Sequence, residues 1–527
     1  MTARSSDLMV SAHDHLLVEP LIGNFPAFLQ LVSPASSALR LAKAQLPTLQ
    51  SYLESPEAHA SGAGHPATKG GPFVDCPPGE RDLIAKLVTV LETQRDVLGL
   101  ASAIDELTAL IEDSEGGDLG PLYQRVPDAL RGLVELVYDG RHRARVLFRE
   151  SLMYRGRYDP SPREAVHLTL TDGDVRPFML STPRVTTDRG LVVQMPLRSD
   201  AVDVLAQSRF VPIPLGELRE AVGPEVASSP VFDSFWTEES VTGTPPWTGA
   251  LRIRYFGHAC LVFETAEVTV VADPFVSPRS GPDRFSLRDL PPRIDYCIIT
   301  HGHADHFVVE TLMALRHRIG TVIVPANLGG ELLDPSLRLC LEHLGFRDVV
   351  EVRDLDEVPI PGGEVVAVPF AGEHGDLAIG AKTTYFVRLG GRTTMVGADT
   401  RALPPELYEI VAQLSGPVDD VFLGLECEGA PLGWMYGPLF PGPVARKLSL
   451  ARRLNGADAA EAMHIVSALG ARRLFVYALG EEPWLQHVMA TNYTPESYQL
   501  VQAATLARSC AEKDVEYHHL FGKATID

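Results

Sequence analysis

The sequence has no run of 18 or more apolar residues, so nothing in it predicts a membrane-spanning helix. Residues 1–10 lack the charged-then-apolar order of a secretory leader, and a cytoplasmic location is the expectation. Its six cysteines (Cys76, Cys260, Cys297, Cys340, Cys427 and Cys510) are scattered and form no CxxC pair. That spacing predicts neither a disulfide framework nor a thiolate metal site, so any metal must be held by histidine and carboxylate. Basic residues are also in deficit: 46 Lys and Arg stand against 68 Asp and Glu, a formal charge of −22. That sign disfavours nucleic acid and anionic membrane surfaces as partners. No short internal repeat is visible.

What is present is an ordinary globular composition, 45% hydrophobic and 22% charged, spread over 527 residues. That length exceeds what one core usually organises and predicts two or more domains. Residues 237–249 (TEESVTGTPPWTG) hold the pair Pro245-Pro246, which continues neither a helix nor a central strand, and we divide the chain there into 1–245 and 246–527. Within the first part, residues 54–79 are rich in Gly, Pro and Ala with almost no large apolar side chain, which predicts a segment without fixed fold. Residues 82–112 carry apolar residues at helical spacing. Segments 166–170, 175–180 and 191–197 read as a small antiparallel sheet, making this a mixed α+β domain. After residue 250 many short apolar runs alternate with helical stretches, the pattern of sheets buried under helices in a layered α/β architecture.

The densest chemical signal follows the strand predicted at 296–300. It reads His301-Gly302-His303-Ala304-Asp305-His306, three imidazoles and a carboxylate within six residues. Imidazole and carboxylate suit first-row divalent ions. A loop leaving a strand can aim alternate side chains inward, so His301 with His303, and Asp305 with His306, can serve two adjacent ions.

HxHxDH after a strand resembles the metallo-β-lactamase superfamily, over about residues 250–527. Tyr255-Phe256-Gly257-His258-Ala259 and Val270-Val271-Ala272-Asp273-Pro274-Phe275 resemble its opening hairpin and first Asp; Val396-Gly397-Ala398-Asp399 resembles its bridging aspartate. The resemblance implies an αββα sandwich, with Asp399 between two metals and His258 and Asp273 orienting the ligands. One departure bears on the metal. Where hydrolases of this superfamily usually have Gly-His, this chain has Ala371-Gly372-Glu373-His374-Gly375-Asp376, and Glu373 is favoured over His374 as the ligand. The implied set is then His301, His303 and Glu373 on one ion, Asp305, His306 and a later histidine on the other. For the later histidine we expect His464, over His487, His518 and His519. Three carboxylates among seven ligands make an oxygen-rich site that moves the metal toward iron or manganese.

HGHADH, GEHGD, GAD and EAMH on one chain with a separate N-terminal domain are together similar to the di-iron β-hydroxylases of nonribosomal peptide biosynthesis, in particular the chloramphenicol-pathway branch. The likeness implies two irons with dioxygen as co-substrate. It also implies an aminoacyl group, p-aminophenylalanine in that branch, held as a thioester on a synthetase carrier domain and hydroxylated at Cβ. Catalytic roles fall to Glu373 and Asp399, an electron-donor protein is required, and a homodimer is expected. Glu426 and Glu428 are expected near the site. The arginines from Arg141 to Arg163 are a candidate docking patch for an acidic carrier. The rival reading is a dinuclear zinc hydrolase of a thioester, lactone or phosphodiester. A fold that has lost turnover, and an oxygen reductase with a flavin module, fit the motifs less well.

Overall fold

The computed structural model describes residues 5–112, 114 and 116–526. Two seven-stranded sheets lie face to face. In the first, the strands run in the order Val349–Val352, Ile319–Pro325, Ile294–Ile298, Thr269–Ala272, Leu261–Glu264, Arg252–Tyr255 and Ala524–Ile526. In the second, they run Glu357–Ile360, Gly363–Val368, Thr384–Leu389, Arg392–Val396, Asp420–Gly424, Arg473–Tyr477 and Glu516–His519.

Alternation along each strand builds the layers, because successive side chains point to opposite faces. Val365 and Ala367 enter the core between the sheets with Ile253, Tyr255, Ile298 and Phe422. Their neighbours Val366 and Val368 face outward under the helices Glu406–Ser415 and Ala459–Leu469. On the far side, Val271, Cys297, Val322 and Val324 face the helices Val309–Leu315 and Leu337–His343. The C-terminal half is thus an αββα sandwich.

The N-terminal half is α+β. A four-stranded antiparallel sheet in the order Phe25–Pro26, Leu16–Ile22, Glu164–Leu170, Gly190–Gln194 accompanies amphipathic helices at Arg81–Glu92 and Arg95–Glu112. Residues 175–180, expected as a strand, form none. Pro177 has no amide to give to a ladder, and Arg176 is drawn to Glu19 at 2.7 Å. Residues 54–79 also depart from expectation, since they hold the helix Pro56–Gly64 and the fully buried Val74. The imidazole of His59 fastens this segment by accepting from the Val74 amide at Nδ1 (3.0 Å). Its small residues are there for close approach: a Cβ on Gly70 would sit 1.9 Å from the Trp434 ring.

Residues 238–251 carry no helix or strand, yet the apolar core does not stop at them. Val10, Leu16, Leu31 and Phe148 belong to the same cluster as Val271 and Val322 of the first sheet. Buried charges tie the halves further. The Glu19 carboxylate accepts from Arg184 (2.8 Å) and Arg176 (2.7 Å), and Arg176 also reaches Glu310 on the C-terminal side (2.6 Å). Burial alone would raise the Glu19 carboxyl, but the guanidiniums of Arg184 and Arg176 outweigh it and hold it well below its ordinary value.

Replacing Glu19 by Ala leaves two buried guanidiniums short of a partner, and should destabilise the chain by about 3–5 kcal/mol in a denaturant titration. Because the folded-state value is depressed, the wild-type contribution is fully present above the unfolded carboxyl's pKa, about 4.5. It is lost as pH falls below that, so wild type and variant should converge in stability at low pH.

Candidate metal centre

Five strands deliver the site from one edge of the sandwich. Thr269–Ala272 ends at Asp273, Ile294–Ile298 leads into His301 to His306, and Gly363–Val368 leads to Glu373. Arg392–Val396 ends at Asp399, and Asp420–Gly424 at Glu426. Among these, 269–272 and 294–298 are parallel neighbours, as are 392–396 and 420–424, so their C-terminal ends coincide.

The side chains converge in three overlapping groups. Ligand atoms of His301, His303 and Glu373 lie within 4.8 Å of one another, and so do those of His301, His306 and Asp399 and those of His258, Asp305 and His306. The Asp399 Oδ2 is 3.2 Å from His306 Nε2 and 3.6 Å from His301 Nε2, which sets it between the groups. Glu373 Oε1 is 3.2 Å from His303 Nδ1. Asp305 Oδ2 lies 3.6 Å from His306 Nε2 and accepts from His258 Nε2 at 3.1 Å. Behind this layer, Asp273 takes His306 Nδ1 at 2.8 Å and the Thr300 amide at 2.7 Å, turning His306 Nε2 toward Asp399.

Several of these atoms are buried without a hydrogen-bond partner: His301 Nε2, His306 Nε2, His374 Nε2 and Asp399 Oδ1. Buried polar atoms are seldom orphaned, and a cation would satisfy this set. The titration behaviour has the same cause. Burial pushes His303 down to about 4 and raises Glu373 to about 7, the latter opposed by His303 and reinforced by Asp399. Burial would lower His306, but Asp399 and Asp305 outweigh it and hold the imidazole well above its ordinary value. Burial also raises Glu426, and the carboxylates of Asp399, Asp305 and Glu373 add to it. A group this rich in negative charge is suited to an ion of positive charge.

The backbone is strained here. Glu373, His374, His258 and Ala398 hold φ of 57°, 50°, 48° and 45°, a region that residues with a Cβ rarely adopt. Gly424 makes room for Asp399, because a Cβ there would lie 2.7 Å from its Oδ1.

His464 is not in this group, which corrects the expectation for the last ligand. It sits on the helix Ala459–Leu469, whose other face (Ala462, Met463, Ile465, Val466) is packed on the second sheet, and its Nε2 donates to the Pro405 carbonyl at 2.8 Å. Nor do its alternatives join: His487 meets the Trp484 carbonyl, while His518 and His519 pair with Glu516 and Glu481. Two other side chains face the pair. His258 stands with Asp305 and His306 on the buried side, and Glu426 lines the cleft that opens over the site. Tyr436, which no sequence signal singled out, places its hydroxyl 3.0 Å from both His303 Nε2 and His374 Nδ1.

A cleft opens over the site. Its floor is His303, Asp305, Glu373 and Asp399; its walls are Met179 from the N-terminal half and Trp434, Met435, Val488 and Met489.

With that geometry in place, known proteins can be compared. Residues 12–240 match the model of the diiron non-heme β-hydroxylase N-terminal domain, and residues 269–476 that of the β-lactamase superfamily domain. A hydroxylase from Streptomyces venezuelae, the 4-amino-L-phenylalanyl-[CmlP-peptidyl-carrier-protein] 3-hydroxylase, is 35% identical over 98% of this chain and 99% of its own. The chain belongs to the diiron β-hydroxylase family. The crystal structure of CmlA, a diiron β-hydroxylase from Streptomyces venezuelae, superposes with a TM-score of 0.92 at 34% identity, covering 99% of both chains. A metal-dependent hydrolase of Brucella ovis is 33% identical over only 18% of this chain, so the hydrolase likeness is confined to a fragment. The cofactor of this diiron β-hydroxylase is accordingly two iron ions, and the histidine and carboxylate clusters fit them.

Removing the carboxylate behind His306 (Asp273→Ala) should weaken iron binding about 10–100-fold in a chelator competition, whereas His464→Ala should retain wild-type iron stoichiometry. Iron must displace the proton that Glu373 holds below about 7, so wild-type loading should strengthen as pH rises through that value.

Proposed function

We propose that this diiron monooxygenase hydroxylates Cβ of an aromatic aminoacyl group, p-aminophenylalanine or a near relative, carried as a thioester on a nonribosomal peptide synthetase carrier domain. The observation that supports it best is the meeting of two features in one cleft. An iron site built with Glu373 in place of a histidine forms the floor, and methionine and tryptophan side chains form apolar walls. Such walls suit an aromatic ring entering on a flexible arm. The Streptomyces venezuelae relative acts, by its name, on 4-amino-L-phenylalanyl carrier protein.

When bound, the irons supply reductive activation of dioxygen, by which one oxygen atom enters the Cβ–H bond and the other leaves as water, with two electrons and two protons from outside. The protein's part is positional. In this reading His301, His303 and Glu373 would hold one ion and Asp305 and His306 the other, with Asp399 available to both. Asp273 and His258 fix the rings and carboxylates that face the metals, and Tyr436 fixes His303. Glu426 faces the pair from the substrate side. Met179 and Trp434, in the cleft wall, would exclude water from a substrate held there. A separate electron-donor protein, a cytoplasmic setting beside the synthetase, and a homodimer formed through residues 1–245 belong to the same reading, with 246–527 as the catalytic domain.

The test is direct. Iron-loaded enzyme, reductant and oxygen with an aminoacyl carrier domain should add one oxygen atom to the tethered residue by mass spectrometry, and the label should come from 18O2. Free amino acid should remain unmodified. Release of the amino acid without added oxygen would instead favour thioester hydrolysis.

A further inference from the structure

The arginines first suspected of meeting the carrier are largely occupied. Arg143 pairs with Asp139 (2.7 Å) and Arg145 with Glu331 (2.8 Å), Arg149 and Arg157 pair with Glu135 and Asp96, and Arg163 bonds Ser37 (3.0 Å). Two cations without an ion pair among the described residues, Arg446 and Lys447, lie elsewhere, beside the cleft, while Arg453 of the same stretch pairs with Glu428 at 3.4 Å. In a chain with 68 acidic residues, positions 429–457 contain none, and four of the eight residues from 446 to 453 are Lys or Arg.

This stretch includes the short helix Arg446–Ala451. Arg446 and Lys447 are exposed and make no ion pair or side-chain hydrogen bond among the described residues. Between them and the next basic pair stand Leu448 and Leu450, 47% and 42% exposed. Exposed leucines flanked by cations on a strongly acidic protein point to a surface meant to be covered by an acidic partner.

The C-terminal half of the helix is anchored to the cleft. Ser449 Oγ accepts from the Gly433 amide at 3.0 Å, next to Trp434 in the cleft wall. Arg452 donates through Nε to the Gly375 carbonyl at 2.8 Å, two residues beyond Glu373, and Leu454 lines the cleft itself. A partner seated on this helix is therefore at the rim through which a tethered substrate must enter.

We propose that Arg446–Arg453 is the docking surface for the carrier domain. Leu448 and Leu450 take the apolar face of the carrier beside its modified serine, and Arg446 and Lys447 take the arm's phosphodiester and neighbouring acids. The inference rests on the carrier-bound substrate reading above, and adds to it the place on this chain where the carrier sits. Net charge of −22 would otherwise repel an acidic carrier; positions 429–457 carry no carboxylate and the nearby Glu428 is paired with Arg453, which lessens that repulsion where contact is made.

The experiment uses full-length, iron-loaded enzyme. Binding of the pantetheinylated carrier domain is measured for wild type, Arg446→Glu/Lys447→Glu and Leu448→Ser/Leu450→Ser, with the milder Arg446→Ala/Lys447→Ala as a variant that preserves folding. Carrier binding should weaken about tenfold or more in the reversed-charge pair, and its salt dependence should shrink. Iron content, and oxidation of a small aminoacyl-pantetheine that lacks the carrier, should not change. Wild-type affinity in all three variants overturns the surface alone. So does a drop to monomer in sedimentation, which would make this face an interface between two copies of the chain. Failure of wild type to bind the carrier overturns the substrate reading as well.

Discussion

Asp305, Glu373, Asp399 and Glu426 line one cleft, largely withdrawn from water. Burial, with the charge of neighbouring carboxylates added to it, raises Glu373 and Glu426 and is the reason the imidazoles around them matter. A site of this kind is stable only with positive charge inside it. The rest of the architecture serves to hold those groups together against the repulsion between their charges. Five strand ends from two sheets supply them, strained residues such as Glu373 and Ala398 turn them inward, and Asp273 fixes the ring that lies between. The strain is tolerable because the strands beneath are packed on both faces.

Family membership and site geometry meet at Glu373. Glu373 brings a carboxylate into the same group as His301 and His303, which makes that group more oxygen-rich than imidazoles alone would. Among the described residues, the N-terminal half supplies no side chain to the metal groups but borders the cleft. Met179 forms a wall, Gly70 lets its loop close on Trp434, and the Glu19, Arg176 and Glu310 chain binds that half to the sandwich. It therefore contributes to the wall of a cleft whose floor comes from the second half.

Much of this was legible in the residues. The HGHADH run, the strand before it and the GAD turn needed only local pattern, because strand periodicity and ligand density are written over a few consecutive positions. His464 failed for the opposite reason. It looked suitable by order along the chain, but its helix turns it about 100° away from the buried face, toward Pro405. Residues 54–79 misled by composition: glycine and alanine there mark close packing against Trp434 as much as they mark a loop.

By itself the sequence determined which atoms were available for the metals and, through alternation, which strands would be sandwiched. Only the tertiary structure decided which distant side chains join them. Tyr436 reaches His303 across 133 positions, His258 reaches Asp305 across 47, and a helix of cations and leucines comes to lie at the rim of the cleft. Contacts of that range depend on how whole sheets stack and loops close. No local pattern encodes them, since their cost and reward appear only when the chain has packed.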